Sequence, residues 1–203
     1  LEPQEFKRQL DGLRTTITDG IAYFSVWRGL MVEDEVSAHA LNRYRGMFLP
    51  ARTALHWMTL LQFAKVFDRD PRTISLRNLL IAAKADRENL TPYANEENLQ
   101  KLEKQIDTNE DLLERLKRLR DQRIAHHDAN ITGDTRLLYG ETQKFVEAVK
   151  SMYNSLTRYH DRSTTSFEYL AREAESHTAE VVQIMREDRD KRLRRFKKSD
   201  TST

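Results

Sequence analysis

Between residues 99 and 116 apolar side chains recur every three or four positions, as Leu99, Leu102, Ile106, Leu113 and Leu116, with Asn109 on the same line. An α-helix is the structure that gathers such a series on one face. The same period runs through Phe6, Leu10, Leu13, Ile17, Ile21 and Phe24, and again through Phe145, Val149, Met152, Leu156 and Tyr159. Several such stripes in one chain have to bury themselves against one another. The 203 residues include six glycines and four prolines, too few for the many turns of a β-rich fold. The expected fold is therefore all-α, an antiparallel helical bundle of long helices with a basic C-terminal helix.

The first stripe predicts a helix over about 6–32, with Pro3 suited to its first turn. Gly12, Gly20 and Gly29 weaken it locally, so packing has to hold it together. Apolar density rises from Met47 to Phe67, and Pro50 predicts a kink or restart ahead of a largely buried helix ending near Asp68. 'DRDPRT' reads as a break, and 'TISLRNLLIAAKA' as a short helix capped by Thr73 or Ser75. 'NLTPYANEEN' is a second break before one long central helix. 'DANITGDTRLLYG' reads as a loop, 141–161 as a helix and 'DRSTTS' as a further break. A last helix is expected over 167–196, with sparse apolar positions at Leu170, Val181, Ile184 and Leu193. From Arg186 to Lys198 eight Lys or Arg face three acidic residues, so this end frays, leaves the bundle or meets a partner. The expected organisation is a bundle over 1–163 and a charged helix over 164–203, packed on the bundle or on a partner.

There is no cysteine, which removes disulfides, thiol nucleophiles and cysteine-held zinc. No apolar run of membrane length and no secretory signal is visible, so a cytoplasmic protein with no membrane partner is expected. A net charge of +2 gives no global reason to bind nucleic acid. A local patch has to supply one.

That patch is 'LKRLRDQRIAHHDAN', residues 116–130. Continuing the leucine stripe by helical spacing reaches Arg120, Arg123 and His127, so an apolar line becomes a cationic one. Arg120 and Arg123 lie about 300° apart on a helix, hence near one face. One reading is structural: cations favour the last helical turn, where they meet the negative end of the dipole. Asp121 and Asp128 then pair with neighbouring arginines. A metal reading of 'HHD' is disfavoured. Adjacent helical side chains diverge, and no histidine pair at i,i+4 is present. No cofactor and no metal are expected. His56 lies in the most apolar helix and reads as a core residue. Tyr23, Phe24, Trp27, Tyr44, Phe48, Trp57 and Phe63 read as core or dimer packing ahead of base stacking.

The patch also resembles the Arg-x(4–6)-His signature of HEPN domains, here Arg120, Asp121 and, after five intervening residues, His126. Upstream, 'YRGMFLPARTALHWMTLLQFAKVFDRD' and 'TISLRNLL' are similar to the AbiU2-like branch, named after a phage abortive-infection protein. The resemblance spans roughly residues 15–160. It implies a helical bundle that pairs as a two-fold homodimer, with the Arg–His motifs at the interface cleft. It also implies a metal-independent endoribonuclease of a bacterial toxin–antitoxin or phage-defence system, with RNA as substrate and an antitoxin or defence-system protein as partner. By that resemblance Arg120 and His126 are the catalytic candidates. Asp121 is the orienting residue, and Arg123 and His127 are supporting contacts.

The chemistry is coherent with these residue types. RNA carries its own nucleophile, the 2′-hydroxyl. A histidine exchanges protons near neutral pH, and an arginine clamps a phosphate and stabilises charge on its oxygens. Cleavage leaves a 2′,3′-cyclic phosphate and a 5′-hydroxyl. The competing reading is a noncatalytic HEPN-type module that binds RNA or protein through the same patch.

Overall fold

The computed structural model describes residues 1–121 and 139–200. Among these the chain is helical, with no strand. The helices are α1 (Pro3–Gly29), α2 (Glu35–Arg43), α3 (Arg45–Val66), α4 (Leu76–Ala85), α5 (Arg87–Leu90), α6 (Glu96–Thr108), α7 (Glu110–Leu119), α8 (Tyr139–Asp161) and α9 (Glu168–Asp200). This is the all-α antiparallel bundle that the periodicity predicts. Among the described residues no helix is long and apolar enough to cross a membrane. The chain divides into two compact units, Leu1–Ile21 with Thr59–Phe167, and Ala22–Met58 with Glu168–Thr203.

The first unit is built on the α1 stripe. Phe6, Leu10, Leu13, Ile17 and Ile21 are each at most 2% exposed. Gly20 belongs to the same contact: a Cβ there would fall 3.2 Å from both Gln62 and the Phe63 ring of α3. The bare glycine lets the two backbones approach, which outweighs its poor helix propensity. Phe145 of α8 packs against Phe63 (centroids 5.8 Å apart, edge-on) and Phe67 (5.5 Å). α4 packs on α6 and α6 on α8, burying Leu79, Leu80 and Ala83 with Leu99, Leu102 and Ile106.

Of the two caps considered for α4, Ser75 is the one used: its hydroxyl accepts the Asn78 N–H at 3.2 Å. The central helix, expected as one, is two. At Asn109 the side-chain amide donates to the Gln105 carbonyl (2.8 Å), and the backbone N–H turns back to Ile106 (3.0 Å). An asparagine that competes in this way for helical carbonyls ends one helix. Glu110 and Asp111 suit the positive start of the next. The apolar stripe continues across the break through buried Leu113 and Leu116.

In the second unit α2 packs along α9. Leu30, Leu41, Phe48 and Val182 form its core, with Val26, Val32, Leu55 and Met185 against them. The break expected at Pro50 falls instead at Tyr44, between α2 and α3, and Pro50 lies inside α3. Its missing N–H removes the bond to the Gly46 carbonyl, and both residues are exposed, so water replaces that partner. The sparse apolar positions of α9 do not form its inner face. Leu170, Val181, Ile184 and Leu193 are 40–59% exposed, and among the described side chains of α9 the buried ones are Thr178 and Val182. The reason is close approach: a Cβ on Gly29 would sit 2.7 Å from Thr178, so a small polar residue takes the inner face.

The turn after α8 is tied internally. The Asn154 side chain both donates to and accepts from the Thr165 backbone (3.0 and 2.8 Å). Asp161 accepts from Lys7 of α1 at 2.7 Å and from the Ser163 N–H at 2.9 Å. Partial burial, the largest single influence, pushes the Asp161 carboxyl up. The Lys7 and Ser163 bonds together outweigh it and bring the pKa to about 2 from the ordinary 3.8. A depressed folded pKa contributes stability that is complete above the unfolded value and is lost as pH falls through the folded one. Asp161→Asn should lower the melting midpoint by about 1–4 °C at pH 7. Thermal melts from pH 5 downward should show that difference closing between the ordinary value of 3.8 and about 2.

Candidate active site

The segment 'DRDPRT' after α3 is a folded turn. The Asp70 carbonyl accepts the Asn78 side-chain amide (2.8 Å), the Thr73 hydroxyl (2.8 Å) and the Thr73 N–H (3.0 Å). The Asp70 carboxylate accepts the Arg72 backbone and guanidinium, which hold it below the usual carboxylate range. This network fixes Asp68, whose Oδ1 accepts the Asp70 N–H at 3.0 Å.

The other oxygen of Asp68 meets Arg120. Arg120 follows α7 with helical backbone angles (φ −57°, ψ −52°). Arg120 and Asp121 lie in a widened, π-type turn, a local form that recurs at functional sites. Arg120 Nη1 donates to Asp68 Oδ2 at 3.1 Å, and Nε donates to Asp121 Oδ1 at 2.7 Å. The Asp121 hydrogen bond, aided by the charges of Asp121 and Asp68, holds the guanidinium above its ordinary range despite partial burial. Among the described residues no carboxylate takes Nη2.

Arg120 stands at a cleft of about 180 Å³ floored by Ala64, Phe67, Leu113 and Leu116. Its rim also carries Arg69, Arg77 and Lys117. Glu110, the first residue of α7, accepts from both Arg69 and Arg77, and Glu114 lies 3.1 Å from Arg69. Burial, and then the charge of Arg69, pushes the Arg77 guanidinium below its ordinary range. Its Nε is buried and has no hydrogen-bond partner among the described residues. Such a cleft combines an apolar floor with a cationic rim neutralised by carboxylates.

The family model HEPN AbiU2, described as AbiU2, matches residues 3–181. The chain belongs to this family. It thus falls within the HEPN superfamily, which is often associated with ribonuclease activity. Neither a curated protein nor a solved structure matches it.

Of the motif residues of this AbiU2-family chain, Arg120 and Asp121 touch each other. Arg123, His126 and His127 lie outside the described residues, as do the 'HHD' tripeptide and most of the expected loop after it. Among the described residues no cluster of metal-ligating side chains occurs. His56 stacks on Trp27 (centroids 4.7 Å, planes 12° apart), and burial pushes its pKa down. His160 donates from Nδ1 to the Leu90 carbonyl at 2.6 Å and packs on Phe6. Phe24, Trp27, Phe48 and Phe63 are buried as expected of core residues, whereas Tyr44 is exposed.

Sequence reasoning missed Asp68, Arg69, Arg77 and Glu110. The spacing of Lys117 to Arg120 was a visible cue for the α7 face. Nothing local connects 'DRD' to a helix end some fifty residues away. The shared carboxylate of Glu110 sets the prediction here. Glu110→Ala leaves two facing cations and should destabilise the chain by about 1–3 kcal/mol in urea unfolding. Glu103→Ala, which removes only a surface pair with Lys84 (2.8 Å), should cost at most about 1 kcal/mol.

Proposed function

We propose that this chain is a metal-independent endoribonuclease of a bacterial toxin–antitoxin or phage-defence system, acting on RNA as a cytoplasmic homodimer. The observation that supports this most is the setting of Arg120. Two carboxylates fix its guanidinium at a cleft mouth, and among the described residues none takes Nη2, the atom that meets a phosphoryl oxygen in this reading. An arginine oriented in advance stabilises charge that develops during reaction without reorganising. In this reading Arg120 clamps the phosphate and Asp121 orients Arg120. His126 takes the proton of the 2′-hydroxyl or gives one to the departing 5′-oxygen. Arg123 and His127 contact the flanking backbone. Two copies set their motifs around one cleft, and an antitoxin or defence-system protein is the natural regulatory partner.

A second reading has its own support. The same two carboxylates neutralise Arg120, as a purely structural arginine requires. This favours a noncatalytic module that binds RNA or protein.

The two separate in a cleavage assay in EDTA. The nuclease reading expects products ending in 2′,3′-cyclic phosphate and 5′-hydroxyl. His126→Ala should lower the rate by about 10²–10⁴ and Arg120→Ala by about 10²–10³, with helical circular dichroism unchanged. Cleavage by pure His126→Ala protein at the wild-type rate sinks the assignment. RNA bound but left intact by the wild-type chain favours the module.

A further inference from the structure

We infer that the chain carries a second RNA contact, a nucleotide-binding recess where the end of α8 meets the start of α6. The recess is open and measures about 740 Å³, and its lining contains no carboxylate. Its charged residues are Arg158 and Arg162. Both are exposed, and neither makes an ion pair among the described residues. This is the reverse of the Arg120 cleft, where the arginines are already matched by acids.

The recess has a fixed frame. The Tyr93 N–H donates to the Tyr159 carbonyl at 3.1 Å, and Arg87 donates to the Ala94 carbonyl at 2.7 Å. Asn95 and Asn98 cap α6 reciprocally, each side-chain oxygen accepting the other's backbone N–H (2.8 and 3.0 Å). That orientation leaves each amide NH₂ as a donor. Arg162 has a positive φ of 60°, a conformation that a side chain other than glycine adopts at an energetic cost and that clusters at ligand clamps. The turn sets its guanidinium over the Tyr93 ring, 4.3 Å from the centroid. Tyr93 itself is half exposed.

The rim therefore offers hydrogen-bond donors, two arginines with no carboxylate partner among the described residues, and a tyrosine ring with the Arg162 guanidinium over it. A phosphodiester supplies acceptors and negative charge, and an unpaired base supplies a second flat surface to extend the stack. A duplex hides its bases, so single-stranded RNA is the fitting ligand. An acidic peptide would use the cations and leave the stack idle. This inference deepens the RNA reading of the previous section, and its test measures binding, so the two can fail separately.

The test uses the full chain and a 5′-labelled, single-stranded 2′-O-methyl RNA ten-mer, whose blocked 2′-oxygen prevents cleavage. Fluorescence anisotropy over a salt series gives affinity and salt slope. Arg158→Ala and Arg162→Gly should each weaken binding about fivefold and flatten the slope of log K against log salt by about 0.7. Tyr93→Ala should weaken it about tenfold, and Tyr93→Trp should retain it. Glycine adopts a positive φ without strain. Arg162→Gly should therefore melt no lower than wild type, which separates lost binding from lost folding. Wild-type affinity in the Arg158→Ala/Arg162→Gly double variant overturns the recess, whether or not the chain cleaves RNA. So does an equally charged phosphopeptide that displaces the RNA while Tyr93→Ala changes nothing. Loss of binding in these variants of a chain that never cleaves RNA upholds the recess and removes the nuclease.

Discussion

Burial of the α1 stripe is the constraint on which the first unit depends. Five side chains, Phe6, Leu10, Leu13, Ile17 and Ile21, are almost fully removed from water, each worth about 1.5–3 kcal/mol of apolar transfer. Gly20 lets α3 come close enough to share that seam. The aromatic contacts of Phe63 and Phe67 with Phe145 then tie α3 to α8. Everything polar in this unit is arranged on helices whose positions that packing has already set.

The Arg120 cleft follows from this order. Leu113 and Leu116 turn one face of α7 to the core, and the adjoining positions Glu114 and Lys117, with Arg120 just past the helix end, line the cleft beside them. The turn after α3 brings Asp68 and Arg69 from the other side, held by Asn78 reaching back to Asp70 and Thr73. One acid at the start of α7 serves two arginines, so helix placement and charge matching are coupled. Moving α7 would take the shared acid from Arg69 and Arg77 and part Arg120 from Asp68.

The residues differ in how legible they were. The stripes of α1, α6, α7 and α8 were plain, because helical period is written in the order of apolar residues. Ser75 was legible because a cap is a local event. Pro50 misled, since a proline in an exposed early turn loses a bond that water replaces. Asn109 misled because its stripe continues while its side chain breaks the helix. The inner face of α9 was hidden for another reason: Thr178 is selected by the bareness of Gly29, not by hydrophobicity. In the candidate site Arg120 and Asp121 were visible as a motif. Asp68, Arg69 and Glu110 join them only through tertiary packing, to which a linear pattern is blind.

The contact of Gly29 with Thr178 carries a consequence for how such chains diverge. A Cβ at residue 29 would fall 2.7 and 2.9 Å from two Thr178 side-chain atoms, closer than the two can coexist. The second unit therefore holds a fixed volume that two distant positions divide between them. Neither drifts freely: enlarging residue 29 is tolerated only after residue 178 has shrunk, or after α9 has stepped away from α1. Substitution order matters as much as substitution type, and a covarying pair of small residues is the evolutionary trace this packing should leave.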